Sequence, residues 1–217
     1  MLGDRCVAVT ADSPSLPRAE LAEAEQLARE IGVRHVVLPT QELSRPGYRA
    51  NAGDRCYHCK KELFVTVAQQ RAAIAPPEWA VVYGAITDDL GDHRPGQRAA
   101  AEHGVLAPLV DAGFAKVDVR RYSRDCGLRT ADKQSFACLS SRVPYGTAID
   151  APMLARIEAA EQVLRDHGFR QFRVRHHDRL ARIEVGADEL ARAFALREEL
   201  GRAIQAAGYT FVALDVF

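Results

Sequence analysis

Through the first half of the chain, short apolar runs rich in β-branched residues alternate with amphipathic stretches, and few folds accommodate that order. Residues 6–11 read as a strand that ends in Asp12, Ser13 and Pro14. Pro17 then opens a helix with Leu21, Leu27 and Ile31 on one face and Gly32 as its stop. Residues 34–39 read as the next strand, and a polar loop carrying Pro46, Gly47 and Gly53 fills 40–55. A helix follows over 56–73, a third and buried strand over 80–84, and another helix over 116–126. Strands alternating with helices specify an α/β fold with a parallel, doubly wound sheet. Ligands of such sheets sit at the carboxyl ends of the strands, which singles out Asp12, Ser13 and the loop 85–97.

After Gly146 the rhythm changes. A helix over 153–167 is stopped by Gly168, strands follow over 171–175 and 180–185, and His176, His177 and Asp178 are expected to form the turn between them. A helix over 188–207 and a strand over 209–216 complete the chain. This αββαβ order predicts a small α+β domain, residues 141–217, behind an α/β domain of residues 1–140.

Composition narrows the function. Lys+Arg and Asp+Glu both number 29 in 217 residues, and that flat balance argues against a protein held to duplex DNA by its phosphates. No run approaches the ~18 consecutive apolar residues of a membrane span. The start lacks the basic head and long apolar stretch of a secretory signal, so a soluble cytoplasmic chain is expected. In that compartment an odd count of five cysteines points to metal or redox chemistry before structural disulfides.

Cys56-Tyr57-His58-Cys59 at the head of a helix places two sulfurs close enough to share a metal or form a redox pair, and the amino end of a helix favours thiolate. Two half-buried cysteines of no consequence would look the same. Two thiolates leave a tetrahedral site incomplete, and Cys138, in a loop at the domain boundary with Arg142 nearby, is the natural third ligand. Cys6 and Cys126 read as packing residues. Asp88, Asp89, Asp92 and Arg94 with His93 form a strand-end loop suited to Mg²⁺ and a polyphosphate, although a solvated turn has the same composition. Arg173 and Arg175 are two apart in a strand and share a face, a fork for phosphate or carboxylate, while Phe172 and Val174 face the core. A salt bridge from this stripe to Glu184 is the plainer reading. The sequence holds no Gly-Gly pair, no GxGxxG and no GxxxxGK[ST].

Taken together, residues 51–64 around the CxxC, residues 84–89 and 91–96, residues 137–147 and the strand 172–175 resemble the motifs of LarE-type ATP-dependent sulfur transferases. That family belongs to the PP-loop ATP pyrophosphatases and makes a nickel-pincer cofactor. The resemblance implies a Rossmann-like nucleotide-binding sheet and a two-step reaction. ATP adenylates a carboxylate of a pyridinium dicarboxylate mononucleotide with release of pyrophosphate, and sulfur then displaces AMP to leave a thiocarboxylate. It further implies ATP and Mg²⁺ as cofactors and a [4Fe–4S] cluster on Cys56, Cys59 and Cys138, whose open iron carries the sulfide. Arg173 and Arg175 are implied to grip substrate or pyrophosphate, Glu161 to help bind a cation, and the chain to form homo-oligomers. The family's SGGxDS phosphate loop is absent from the sequence, which by resemblance begins at the second strand and stops at Leu214-Asp215-Val216-Phe217, ahead of a Gly- and Arg-containing tail. A separate chain supplying the loop is one expectation that follows. Two other readings stand beside this one: a non-catalytic module holding zinc on the three cysteines, and a PP-loop enzyme acting on tRNA or an amide-forming substrate.

Overall fold

The computed structural model describes residues 3–91 and 94–216. Its first unit opens with strand β1 (Val7–Asp12), helix α1 (Arg18–Ile31) and strand β2 (Arg34–Pro39). β1 and β2 are parallel, with Val7 opposite Arg34 and Asp12 opposite Pro39. α1 is the crossover between them, begun after Pro17 and ended at Gly32, whose φ of 74° is a left-handed conformation that costs glycine no Cβ clash. Next come a short helix α2 (Pro46–Arg49), the 20-residue α3 (Arg55–Ile74), α4 (Pro95–Glu102), α5 (Pro108–Asp111) and α6 (Lys116–Asp125). The expected third strand at 80–84 is reduced to one parallel bridge between Val82 and Leu106. Both residues stay half-exposed, so the apolar run that reads as a buried strand is covered only in part. The doubly wound sheet predicted from the sequence is therefore a two-stranded parallel ladder plus a bridge among the described residues. Pro95 and Pro108 each open a short helix, α4 and α5, that the loop-like composition of the region conceals.

The second unit matches its pattern more closely. α7 (Ala151–Asp166) is capped by Asp150, whose carboxylate accepts the Met153 N–H at 2.8 Å. β3 (Phe172–His177) and β4 (Leu180–Val185) are antiparallel, and β5 (Phe211–Leu214) runs parallel to β4 after α8 (Leu190–Ala195) and α9 (Arg197–Ala206). Two details differ from expectation. His176 and His177 belong to β3, and the turn is Asp178-Arg179, with Asp178 at φ 55°, a conformation aspartate tolerates. The expected single helix over 188–207 is broken at Leu196 between α8 and α9.

Phe172, Val174 and His176 alternate inward along β3; the first two pack with Leu164, Ala181, Ile183, Leu200 and Ile204, and His176 meets Tyr209. A separate apolar cluster of Leu139, Val143, Ile149, Leu154 and Ile157 seats the loop between the two units on α7. No helix among the described residues is long and apolar enough to cross a membrane.

Candidate functional site

The loop that carries Cys138 is fixed by the turn that follows it, Leu139–Arg142, and each residue of that turn is tied to a different part of the chain. The Leu139 N–H donates to the Ser15 carbonyl at 2.8 Å, just beyond β1. The Ser140 hydroxyl pairs with the Tyr48 hydroxyl of α2 at 2.6 Å, and its carbonyl accepts from Arg55 at the head of α3 at 2.9 Å. The Ser141 carbonyl accepts from Arg175 of β3 at 2.9 Å. Arg142 is buried and holds Glu161 of α7 through Nε (2.7 Å) and Nη2 (3.1 Å), while Nη1 donates to the carbonyls of Ala137 and Cys138.

Cys59 and Cys138 lie within electrostatic reach of each other in this environment. The Tyr48 hydroxyl, buried beside Ser140, feels the charge of both sulfurs, and burial above all raises its ionisation far beyond that of a free phenol. Burial first, then the charges of Glu42 and Cys138, push the Cys59 thiol up to about 12, so Cys59 is protonated at neutral pH. Glu42 is itself buried and accepts from the Ser15 hydroxyl at 3.3 Å, which in turn bonds Ser13 at 2.8 Å. Cys56 lies exposed on the first turn of α3. The three thiols have the chemistry of a metal or cluster site. Among the described residues, however, no three His, Cys, Asp or Glu side chains are gathered so as to hold a metal ion. As folded, Cys56, Cys59 and Cys138 do not fit a shared metal.

The other residues singled out by sequence divide into those joined to this turn and those apart from it. Ser13, buried, reaches it through Ser15, and Asp12 next to it pairs with Arg18 at 2.5 Å. Arg173 and Arg175 share the outer face of β3, as the two-residue spacing requires. Arg175 also pairs with Glu184 at 2.9 Å, so the plainer reading of that residue holds beside its bond to the Cys138 loop. Glu161 has its oxygens engaged by Arg142 and by the Val174 N–H at 3.0 Å, and Arg142 is turned inward, so their described bonds stay within the protein. Asp89 accepts the Ile86 N–H and pairs with Arg94 at 2.9 Å, and Asp88 accepts the Lys116 N–H at the head of α6 at 2.9 Å. These acids fold their own loop and join it to α6. Asp92 and His93 lie outside the described residues. Cys126, expected to pack, is exposed at the end of α6, and Cys6 precedes β1.

Behind the Cys138 loop lies a cavity of about 530 Å³ lined by Lys116, Ser135, Phe136, Arg142 and Arg173, among others. Arg173 has no ion-pair partner among the described residues, and the Lys116 ammonium donates only to the Ser135 hydroxyl at 3.3 Å. Glu184 and Asp215 also line the cavity but pair with Arg175 and Arg182, which leaves Lys116 and Arg173, beside aromatic carbon, to suit an anionic, ring-bearing ligand. A larger cavity of about 890 Å³ beside α1 is lined by Lys133 and Arg129, but Glu20, Glu23 and Glu30 already neutralise them.

Sequence reasoning passed over Glu42, Tyr48, Asn51, Arg55 and Lys116. Asn51 and Arg55 sit inside the very stretch that carries the CxxC, and a polar residue and an arginine so near two cysteines are the signal that was there to be read.

No protein-family model matches the chain. It is similar to an uncharacterized protein of Synechocystis sp., 41% identical over 219 residues that span 100% of this chain and 81% of that protein. It is 33% identical over 213 residues, 98% of this chain and 76% of the other, to the pyridinium-3,5-bisthiocarboxylic acid mononucleotide synthase of Lactiplantibacillus plantarum. An uncharacterized protein of Methanocaldococcus jannaschii is 29% identical over 166 residues, 76% of this chain and 64% of that one.

Proposed function

Because the chain belongs to the family of the pyridinium-3,5-bisthiocarboxylic acid mononucleotide synthase, we propose that it is an ATP-dependent sulfur transferase of the PP-loop type, acting on a carboxylate of a pyridinium dicarboxylate mononucleotide. A carboxylate oxygen attacks the α-phosphorus of ATP and pyrophosphate leaves. The Cys138 thiolate then attacks the acyl carbon of the adenylate, the bond to AMP breaks, and AMP departs with the electron pair to leave a thioester. Loss of the Cys138 Cα proton to a base then breaks the Cβ–Sγ bond, so that the thiocarboxylate leaves with that electron pair and dehydroalanine remains at position 138. Cys138 is the point at which sulfur enters. The observation that carries this reading is the Leu139–Arg142 turn, which ties the Cys138 loop to the end of β1, the head of the CxxC helix and the arginine face of β3 at once. The substrate phosphate is assigned to Arg173 and Lys116 in the adjoining cavity, with Phe136 beside the ring. An iron–sulfur cluster on the three cysteines would supply an open iron that binds sulfide. The thiols as placed do not fit one, and no step here depends on it.

The sequence holds no glycine-rich phosphate loop, so the sulfur step is tested alone, with the acyl adenylate supplied. AMP release coupled to exchange of a carboxylate oxygen for sulfur, read by mass spectrometry, is expected. Cys138→Ala should slow it by about 100-fold or more, as loss of a nucleophile does. Equal rates in the variant would overturn the assignment. Iron, zinc and acid-labile sulfide analysis of protein reconstituted without oxygen separates the readings of the cysteines. Iron with sulfide supports cluster delivery, and zinc without sulfide supports the non-catalytic module.

A further inference from the structure

The CxxC helix and the Cys138 loop come from distant parts of the chain, and something must hold them together. Tyr48 and the two residues Asn51 and Arg55 meet the loop directly. Asn51 is fully buried at φ 51°, one of two non-glycine residues with positive φ among those described. In that conformation its amide nitrogen donates to the Pro144 carbonyl at 2.8 Å and its own carbonyl accepts the Gly146 N–H at 3.0 Å. Its side-chain oxygen accepts from Arg55 Nη1, which also donates to the Ser140 carbonyl at 2.9 Å. Arg55 is buried, next in sequence to Cys56, and pairs with no carboxylate among the described residues. Taking a guanidinium out of water without an acid is costly, and the fold accepts that cost where Nη1 alone reaches two neutral acceptors on separate segments.

We propose that Asn51 and Arg55 are positioning residues that clasp the Cys138 loop onto the head of the CxxC helix and so hold Cys138 within electrostatic reach of Cys59. The inference rests on the reading of Cys138 as the sulfur entry point, and deepens it by naming what holds that sulfur in place. Neither residue touches substrate. Loosening the clasp lets the loop open locally, and a local opening exposes Cys138 without unfolding the rest.

The test is the alkylation rate of each cysteine by iodoacetamide in the full chain, mapped by peptide mass spectrometry with no substrate present. Arg55→Gln removes the charge and the Nη1 donor that bridges Asn51 and Ser140. Asn51→Gly accepts the positive φ without a Cβ clash and removes both the amide donor and the acceptor for Arg55. Each variant is expected to raise Cys138 alkylation by up to about tenfold, the factor that one buried hydrogen bond supports, with Cys126 unchanged. Arg55→Lys, which keeps the charge and at most one bond, should fall between Arg55→Gln and wild type. An unchanged Cys138 rate in both variants would overturn the proposal, and so would a rise shared equally by Cys126, which signals general loosening. Because no adenylate is used, this outcome stands apart from the Cys138→Ala result: an inactive protein can still show the clasp, and an active one can lack it.

Discussion

The two β units of this chain are built on opposite terms. In β3–β4–β5 the inward residues are sealed: Val174 and Ala181 are 0% exposed, and Leu164 of α7 and Ile204 of α9 close over them at 0%. In β1, by contrast, every residue is only half-buried. Parallel strands ordinarily need cover on both faces, whereas a sheet with an antiparallel pair can face water on one side. The second unit satisfies its own rule with one layer of helix, and the first does not complete its rule with the elements described. The candidate site is attached to the less sealed unit. Its loop is seated by apolar packing of Leu139 and Val143 on α7 and aimed by directional bonds from one short turn, whereas β1 itself has no such seal, and this difference sets how each region should respond to substitution.

The largest effect is expected where the two regions are joined. The Arg142–Glu161 pair is buried at both ends, 1% and 2% by side chain, and links the Cys138 loop to α7. Glu161→Leu leaves a guanidinium buried without its acid, which should cost about 3–5 kcal/mol. Denaturant unfolding measures it. Replacing both residues by apolar ones of similar size (Arg142→Met with Glu161→Leu) should restore much of that loss. If the single variant is as stable as wild type, the pair does not join the regions.

The contrast in sealing predicts a smaller, graded effect. Leu164→Ala empties a site packed on all sides and should cost about 2–5 kcal/mol, the range for truncating a buried leucine. Val9→Ala, on a strand half open to water, should cost about 1 kcal/mol because less area is returned to solvent. Equal costs in chemical denaturation would erase the distinction between the units.

How far the sequence could be read follows the same division. In β3 and β4 the in–out alternation is clean, and the strand residues, the shared face of Arg173 and Arg175 and the stop at Gly168 fall close to where pattern places them. The strand at 80–84 misleads because Val81 and Tyr83 pack against α3 and α4 while Val82 points outward, so a continuous apolar run overstates its burial. The cysteines show a deeper limit. Spacing reveals that Cys56 and Cys59 share a helix turn, but not that Cys59 is the one turned toward Glu42 and Tyr48, which come from a stretch with no periodicity. Arg142 illustrates the same point: beside a cysteine it reads as an anion grip, and the fold turns it toward an acid one helix away. Ion pairs formed across long sequence separations leave no local signature.

The smallest prediction uses two histidines of the sealed unit as opposing probes of it. His167, at the end of α7, bonds the Val163 carbonyl at 2.7 Å and Glu199 at 3.1 Å, and these partners raise its pKa, the carbonyl most. His176 is buried on β3 against the Tyr209 hydroxyl at 3.0 Å, and burial, then Arg156, lowers its pKa, with Asp178 and Asp150 pulling weakly the other way. The signs oppose. The stability His167 confers is fully present below its unfolded pKa of about 6.5 and is lost as pH rises through its higher folded value. That of His176 is present above about 6.5 and is lost as pH falls through its lower folded value. Ring Cε1 proton shifts followed by NMR should therefore titrate on opposite sides of about pH 6.5. His167→Gln should lower the melting midpoint more at about pH 5.5 than at about pH 8, since only the protonated ring gains from Glu199. Coincident titrations would mean that the core around Tyr209 admits water, and the second unit would then be no better sealed than the first.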